Sequence, residues 1–267
     1  MHFNFDFSTA QVLWTLTFAA LLVLLVVLLG RDRVRRFPWF TASIALMALD
    51  KLAGRLLYHR IPVVLTDWIF LTLADLAAIL SLLVAVEIAR RAFEGADRRM
   101  WIAGTLGLLA VGGIVLALWG PWPSYKTLTG GSELATLRLM DLFAQKANLL
   151  ADVLFVQLGV LVVVFGRHFK AGWHSHTQQL AIGLTMASLS QLAIRGTLQH
   201  VATQVTIHSQ DDYKRVMGTI NSLNTASGVI LIVVLLWWIA CLWSDEPGEK
   251  NKDQALGNSD QESEIRE

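Results

Sequence analysis

The chain has 267 residues, of which 54% are hydrophobic and only 16% are charged. A soluble domain carries about 25% charged residues, so this composition, with a mean hydropathy of +0.51, excludes an ordinary soluble fold. The formal net charge of +1 leaves no excess of basic residues for a nucleic acid, and we expect no nucleic-acid partner.

Seven apolar stretches are long enough to cross a bilayer, which requires a helix of about 20 residues. They lie at 8–30, 37–59, 63–88, 100–119, 140–166, 177–201 and 216–243. The gap at 120–139 contains Gly, Pro and Ser residues and is predicted to be an exposed loop. The sequence therefore predicts an all-α fold, a polytopic bundle of seven transmembrane helices within residues 1–243, surrounded by the lipid bilayer.

The positions of Lys and Arg predict the orientation of these helices. The connections at 31–36, 90–99 and 167–176 are rich in basic residues, whereas those on the opposite side contain few. Basic connections usually stay in the cytoplasm, so we expect the N-terminus outside and the C-terminus in the cytoplasm. Tryptophans also fall at both predicted interfaces, as an aromatic belt requires. The outer set is Trp14, Trp68, Trp119 and Trp122, and the inner set is Trp39, Trp101, Trp173 and Trp243.

The end of the chain differs from the rest. Residues 244–267 contain eight acidic and three basic residues and nothing to bury, which predicts a disordered, charged cytoplasmic tail. The single cysteine, Cys241, lies in the last apolar stretch, so an internal disulfide and a cysteine metal cage are excluded.

The second stretch carries charges that a membrane helix usually lacks. Its segment LMALDKLAGRLLYH, residues 46–59, contains Asp50, Lys51 and Arg55, each of which costs about 3 kcal/mol or more if it faces lipid. Lys51 and Arg55 are four residues apart on one helix face, where like charges repel. They therefore require an anion from elsewhere.

Three sources of that anion are open. Asp75 of the third stretch and Asp152 of the fifth are the nearest acids in depth, and a bound ligand is the third source. Asp50 points away from the two cations and is expected to meet Arg195 of the sixth stretch. A ligand of this site is therefore expected to be anionic.

Further polar side chains recur at three- and four-residue spacing, so that each set lies along one helix face. The sets are Asp141, Gln145, Asn148 and Asp152 in the fifth stretch, Ser188, Gln191, Arg195 and Gln199 in the sixth, and Asn221 and Thr225 in the seventh. Each set occupies the outer half of its stretch, while the inner half is nearly uniform hydrocarbon. The pattern predicts a polar cavity open to the outside among helices two, three, five, six and seven, with helices one and four at the periphery.

This hypothesis assigns ligand binding to ten residues. They are Asp50, Lys51, Arg55, Asp75, Asn148, Asp152, Gln191, Arg195, Asn221 and Asn224. The alternative is that the same polar groups form hydrogen bonds between helices and hold the bundle together, as polar residues in membranes commonly do.

Catalytic and cofactor chemistry has little basis in this sequence. A haem-binding bundle needs histidines inside two helices, a retinal protein needs a lysine inside the last helix, and a serine enzyme needs a buried histidine as base. None of these occurs. The three histidines of HFKAGWHSH, residues 168–176, have no nearby Cys or carboxylate and are interpreted as a cationic loop. We therefore expect no metal and no cofactor, and find no support for enzyme activity.

Two segments of the chain align at an offset of 140 residues. LDKLAGR at 49–55 matches LSQLAIR at 189–195, and the preceding helices end alike, as LLGR at 28–31 and VFGR at 164–167. Helices one to three and five to seven would then be parallel repeats joined by helix four, an arrangement known from some transporters. Chance is the competing explanation, because Leu and Ala are common.

The basic connection that runs into RRFPWF, residues 35–40, followed by membrane helices without a catalytic motif, resembles a group of uncharacterised bacterial seven-helix membrane proteins. The layout also resembles the seven-helix sensor regions that precede histidine kinases, although no effector domain follows Trp243. The resemblance implies an inner-membrane receptor or sensor that signals to a cytoplasmic protein partner. A small-solute transporter and a structural subunit of a membrane complex are the alternatives.

Overall fold

The structure is a computed structural model, and it describes residues 9–57, 60, 62–92, 98–119, 122, 133–165, 176–204 and 210–244. Within these ranges the chain forms seven α-helices, which confirms the all-α prediction. They are α1 (Thr9–Gly30), α2 (Pro38–Leu57), α3 (Val63–Ala92), α4 (Arg98–Leu118), α5 (Glu133–Phe165), α6 (His176–Gln204) and α7 (Gln210–Trp243). The predicted tail lies outside the described residues, apart from Ser244.

Three helices extend furthest beyond the ends of the predicted apolar stretches. Helix α3 continues to Ala92, α5 begins at Glu133 and α7 begins at Gln210. The prediction of a loop over 120–139 is therefore wrong for 133–139. Apolar stretches end where charged residues begin, but backbone hydrogen bonds continue through charged residues once the helix is formed.

Four helices of the described chain are long and apolar enough to cross a membrane. The segments are Thr9–Gly30, Val64–Arg91, Ala135–Val163 and Asp212–Trp243. In α4 the apolar part is shorter, Gly104–Leu118, and in α2 the three charges at 50, 51 and 55 reduce the hydropathy. The four segments show the character of a helical membrane protein.

Six of the helices form a closed ring. Helix α1 packs against α2, α2 against α3, α3 against α5, α5 against α6, α6 against α7, and α7 against α1. Helix α4 lies outside the ring against α5. The expectation that helix one is peripheral is wrong, because Leu21, Leu24 and Leu28 of α1 are completely buried.

The apolar core lies at one end of this ring. We call it the arginine end, because it carries the connection 31–37 between α1 and α2. The core residues come from the parts of the helices nearest this end, and among the completely or nearly completely buried ones are Leu21, Leu24, Leu28, Phe37, Phe40, Ile44, Val84, Ile88, Leu180, Leu235, Trp238 and Leu242. Phe40 and Trp238 join α2 to α7 across the core in an edge-to-face contact with ring centroids 5.1 Å apart.

The connection at the arginine end is a compact turn. Asp32 adopts a left-handed conformation with φ of 49°, and the N–H of Arg33 donates to the carbonyl of Leu28 at 3.0 Å. This is the hydrogen-bonding pattern of a Schellman motif, which closes the C-terminus of α1. The N–H of Phe37 donates to the carbonyl of Arg33 at 2.8 Å, so the chain enters α2 without a flexible linker.

The start of α2 is capped by an acid from another helix. Glu87 of α3 is buried, and its Oε2 accepts the N–H of Phe40 at 3.0 Å. Pro38 begins α2 and has no N–H of its own to satisfy. A carboxylate at a helix N-terminus satisfies free N–H groups and interacts favourably with the helix dipole.

Replacing Glu87 by Ala is expected to lower the free energy of unfolding by about 2 kcal/mol, near the upper limit for a lost helix cap, because the donor is buried. Denaturation of the protein in detergent, followed by tryptophan fluorescence, measures the loss. Glu87→Gln is the matched control, since its amide oxygen still accepts the hydrogen bond and should retain most of the stability. Equal stability of Glu87→Ala and the unmodified protein would contradict the capping role.

Two glycines allow close contact between the later helices. A Cβ at Gly159 of α5 would overlap the side chain of Thr185 on α6, 2.8 Å from its Cβ. A Cβ at Gly183 of α6 would overlap the indole of Trp238, 2.7 Å from its Cε2. Thr185 donates across the first of these contacts to the carbonyl of Phe155 at 3.1 Å.

Candidate functional site

The sides of the helices that face the interior of the ring are apolar near the arginine end and become polar toward the opposite end. We call this opposite half of the ring the polar half; it contains α1 up to Thr17, α2 from Asp50 onward and α7 up to Leu231. The helices here are held less closely by apolar packing, and the interior contains cavities.

The polar residues of α2 continue its buried face. Ile44 and Ala48 are buried in the core, and Lys51 and Arg55 follow at three- and four-residue spacing on the same side of the helix. The face that packs as core near the arginine end therefore presents two cations in the polar half.

Helices α1 and α7 show the same transition. On α7, Leu235 is buried, and Leu231, Gly228, Asn224 and Asn221 follow at the same alternating spacing toward the polar half. On α1, the stripe of Leu21 and Leu28 continues into Thr17, Leu13 and Trp14. These residues line the space inside the ring.

A first cavity lies between the polar ends of α1 and α2. It has a volume of about 530 Å³ and is closed on one side by Phe70 of α3. Asp50, Lys51 and Arg55 line it on α2, opposite Trp14 on α1. Three of the ten predicted ligand-binding residues therefore share one space.

A second cavity of about 590 Å³ adjoins the first and lies between α1, α2 and α7. Asn221 and Asn224 line it on α7, and Lys51 and Trp14 line both cavities. The side chains of Lys51 and Trp14 thus stand between the two spaces. The two cavities together are lined by five of the ten predicted residues, three from α2 and two from α7.

Trp14 was expected in the outer aromatic belt, but it faces the cavities. Its Nε1 donates to the backbone carbonyl of Lys51 at 3.3 Å, and its ring stacks on Phe18 with centroids 5.5 Å apart. The guanidinium of Arg55 lies 5.9 Å from the centre of the Trp14 ring, within the range of a cation–π contact. Trp14 therefore positions the backbone of α2 and one of its two cations. The side chain of Trp101 and the whole of Trp173, also assigned to the belts, lie outside the described residues.

The expected ion pairs of α2 do not form. Among the residues that the structure describes, Asp50, Lys51 and Arg55 have no ion-pair partner. The pairing of Asp50 with Arg195 is wrong, because Arg195 pairs with Asp152, its Nη2 lying 3.4 Å from Oδ2. That acid is therefore not available to Lys51 either.

Asp152 and Arg195 form a separate polar cluster between α5 and α6. Their side chains are 15% and 32% exposed, and Ser188 lies near the Asp152 carboxylate. Arg195 also donates to the backbone carbonyl of Gln145 at 3.4 Å. This cluster joins two helices in the manner of the alternative interpretation, in which polar groups hold the bundle together.

The remaining predicted residues are distributed around these two groups. Gln191 donates through Nε2 to the hydroxyl of Ser227 at 2.9 Å and so links α6 to α7. Asn148 and Asp75 are half-buried on α5 and α3 and line neither of the two cavities. One carboxylate oxygen of Asp75, Oδ1, is buried without a hydrogen-bond partner in the described part of the chain.

Sequence reasoning missed the contacts of three residues, two in the polar half and one on α5. Trp14 and Gln11 line the first cavity from α1, and the polar residues spaced along α1 were a signal that this helix has an interior face. Lys146 of α5 donates to the carbonyl of Trp119 at the end of α4 and lies 4.6 Å from the centre of the Trp122 ring. A lysine within an apolar stretch was the signal that this side chain has a polar or aromatic partner.

One histidine of the cationic loop has a structural role. His176 begins α6 and is buried, with its Nε2 at 3.0 Å from the carbonyl of Ser244 and 3.2 Å from that of Cys241. It therefore binds the carbonyl groups at the end of α7. His168 and His174 lie outside the described residues. Within the described ranges, no group of three His, Cys, Asp or Glu side chains is placed to hold a metal ion.

Comparison with protein-family models, with curated proteins and with solved structures found no match to this chain. The fold and the cavities define it as a helical bundle with membrane character and a polar interior at one end. Its function is inferred below from these residues alone.

Proposed function

We propose that the chain is a receptor or sensor of the bacterial inner membrane that binds a small anionic ligand in the polar half of the ring. In this proposal all seven helices cross the membrane, the N-terminus is outside and the C-terminus is in the cytoplasm. The basic connections at 31–36, 90–99 and 167–176 support this orientation. The polar half then faces the outside, where a ligand can enter.

One observation carries the proposal. Lys51 and Arg55 line the first cavity together with one acid, Asp50, and neither cation forms an ion pair among the described residues. Unpaired cations inside a membrane bundle are costly. An anionic ligand that binds both cations would offset that cost, and Asn221 and Asn224 across the second cavity would donate further hydrogen bonds to it.

The aligned arginines of the two halves support the same conclusion. Arg55 and Arg195 occupy matching positions in LDKLAGR and LSQLAIR. Arg195 has its carboxylate, Asp152, on the preceding ring helix, whereas Arg55 faces the ring of Trp14 on its preceding helix. At the offset of 140 residues, the position that matches Asp152 is Val12, so this half of the chain has no carboxylate in the equivalent place.

The ligand would act by changing how α1, α2 and α7 pack. A ligand shifts a conformational equilibrium only if it binds one arrangement more tightly, and an anion between α2 and α7 favours the arrangement in which their polar ends are close. The same two helices meet again at the arginine end through Phe40 and Trp238. Arg31 lies 5.4 Å from the centre of the Trp243 ring and extends this contact to the end of α7. A cytoplasmic partner would bind there.

Charged thiol reagents test whether the cavities are electropositive and open to water. Asn224→Cys is introduced in a Cys241→Ser background, and its reaction rates with an anionic methanethiosulfonate and with a cationic one are compared from outside the membrane. The anionic reagent is expected to react about tenfold faster, because two nearby cations attract one reagent and repel the other. Lys51→Gln with Arg55→Gln should remove this preference.

Ala226→Cys is the matched control. Ala226 is exposed on α7 and lies two residues from Asn224, on the other side of the helix, away from both cavities. It should show no preference that depends on Lys51 or Arg55. No reaction at Asn224→Cys from outside, or equal rates with both reagents, would refute the proposed site.

The transporter alternative rests on the order of the ring. Helix α1 contacts α2, α2 contacts α3, and α3 contacts α5. In the same order, α5 contacts α6, α6 contacts α7, and α7 contacts α1. Two parallel repeats require this correspondence. Uptake of a radiolabelled anion into proteoliposomes would favour a transporter, and saturable binding without uptake a receptor. A structural subunit would show neither and would co-purify with other proteins.

A further inference from the structure

A third cavity lies at the arginine end, on the outside of the ring. It is a groove of about 620 Å³ between the start of α2 and the end of α3. Arg35, Arg90 and Arg91 line it together with the apolar side chains of Leu83 and Val86. The groove thus combines three cations with hydrocarbon, and the ligand of the polar half does not use it.

The groups along α3 follow a definite order. Leu83, Val86 and Arg90 lie on one helix face at three- and four-residue spacing, and Arg90 is about 6 Å further along the axis than Val86. Val86 is 63% exposed, and so is accessible to lipid. Toward the end of the helix, the groove therefore changes from apolar to basic, which is the order of acyl chain and phosphate in a phospholipid.

Among the described residues, the acids near the groove offset only part of the charge of its three arginines. Glu87 lines the groove and its charge interacts with that of Arg91, while its Oε2 accepts the N–H of Phe40 at the start of α2. Asp32 lies 3.8 Å from Arg35, but both side chains are largely exposed, and such pairs are weak. Arg91 stacks over the ring of Phe37 at 4.7 Å, a contact with an uncharged group. The groove keeps a net positive charge.

We propose that this groove binds an anionic phospholipid, with the phosphate at Arg35 and Arg90 and an acyl chain along Val86 and Leu83. Trp39 also lines the groove and is 45% exposed, as expected of a tryptophan at the level of lipid headgroups. Basic pockets between membrane helices recognise such headgroups. The proposal is independent of the ligand in the polar half.

Native mass spectrometry of the purified full chain tests the proposal, with phosphatidylglycerol and phosphatidylcholine of identical acyl chains as probes. Phosphatidylglycerol should bind more tightly, and Arg35→Gln with Arg90→Gln should weaken its binding about tenfold. Both arginines are exposed, so the change spares the core. The matched control is Arg138→Gln with Arg215→Gln, two exposed arginines at the opposite end of the ring, which should leave binding unchanged.

A second arm separates a lipid from a soluble anion. Glycerol 3-phosphate should compete only at far higher concentration than the lipid, and Val86→Gln should weaken binding of phosphatidylglycerol but not of glycerol 3-phosphate. Three results would overturn the proposal: equal binding of both lipids, equal losses in the two arginine pairs, or equal affinity for the lipid and glycerol 3-phosphate.

Discussion

Asp152→Asn is expected to lower the free energy of unfolding by about 3 kcal/mol, among the largest effects of any single polar replacement in this chain. The change removes the charge that pairs with Arg195 at 3.4 Å and leaves a cation between α5 and α6 without its partner. Breaking a buried ion pair costs about 3–5 kcal/mol. The lower value applies here because the side chain of Arg195 is 32% exposed. Denaturation in a mild detergent, followed by tryptophan fluorescence, measures the difference.

Two further variants show whether the pair itself is responsible. Asp67→Asn makes the same chemical change at an exposed position of α3 and should alter stability by less than about 0.5 kcal/mol. Asp152→Asn combined with Arg195→Gln should cost less than the two single changes added together, because the second change removes the unpaired cation. Additive losses would show that the two side chains do not interact.

Gly159→Ala is expected to cost about 2 kcal/mol, although Ala favours a helix more than Gly does. The added Cβ overlaps the Thr185 side chain, so either α5 and α6 move apart or Thr185 leaves its rotamer. The second outcome breaks the hydrogen bond from Thr185 to the carbonyl of Phe155. The same denaturation measurement applies, and a lower midpoint is expected.

Gly113→Ala is the control for this prediction. Gly113 lies on α4, and a Cβ there meets nothing within 4 Å, so the change should be neutral or slightly stabilising. Thr185→Gly in the Gly159→Ala background removes the overlapping atoms and should recover part of the loss. If Gly113→Ala destabilised the protein as much as Gly159→Ala, helix contact would not be the cause.

The all-α fold and the number of helices were predictable, because a membrane imposes a minimum length on each apolar stretch. Helix ends were not, since α5 begins at Glu133 and α7 at Gln210, within polar sequence. Hydropathy records which residues avoid water, whereas a helix continues as long as its backbone can form hydrogen bonds.

The faces of the helices were predicted better than the contacts between them. Spacing placed Lys51 and Arg55 on one face, and the structure places both in the same cavity. Residue spacing could not show that Asp152 pairs with Arg195 rather than with Lys51. The position of a residue along its own helix follows from the rise per residue. Which residue it contacts at that level depends on which helices are adjacent in the ring.

The role of α1 could not be predicted from its apolar composition. Its apolar composition suggested a lipid-facing helix, yet Leu21, Leu24 and Leu28 are completely buried and Trp14 faces the cavities. Interior and lipid-facing positions are both apolar in a membrane protein. Only the polar residues on the interior side distinguish them, and α1 has few.

The turn between α1 and α2 fixes how this pair of helices can move. The carbonyl of Leu28 accepts the N–H of Arg33, and the carbonyl of Arg33 accepts the N–H of Phe37. Asp32 between them adopts a left-handed conformation. The two helices are therefore joined rigidly at the arginine end. A change of a few degrees in the angle between them produces its largest displacement at the other end of the pair, about 30 Å away. Arg55 lies at that end.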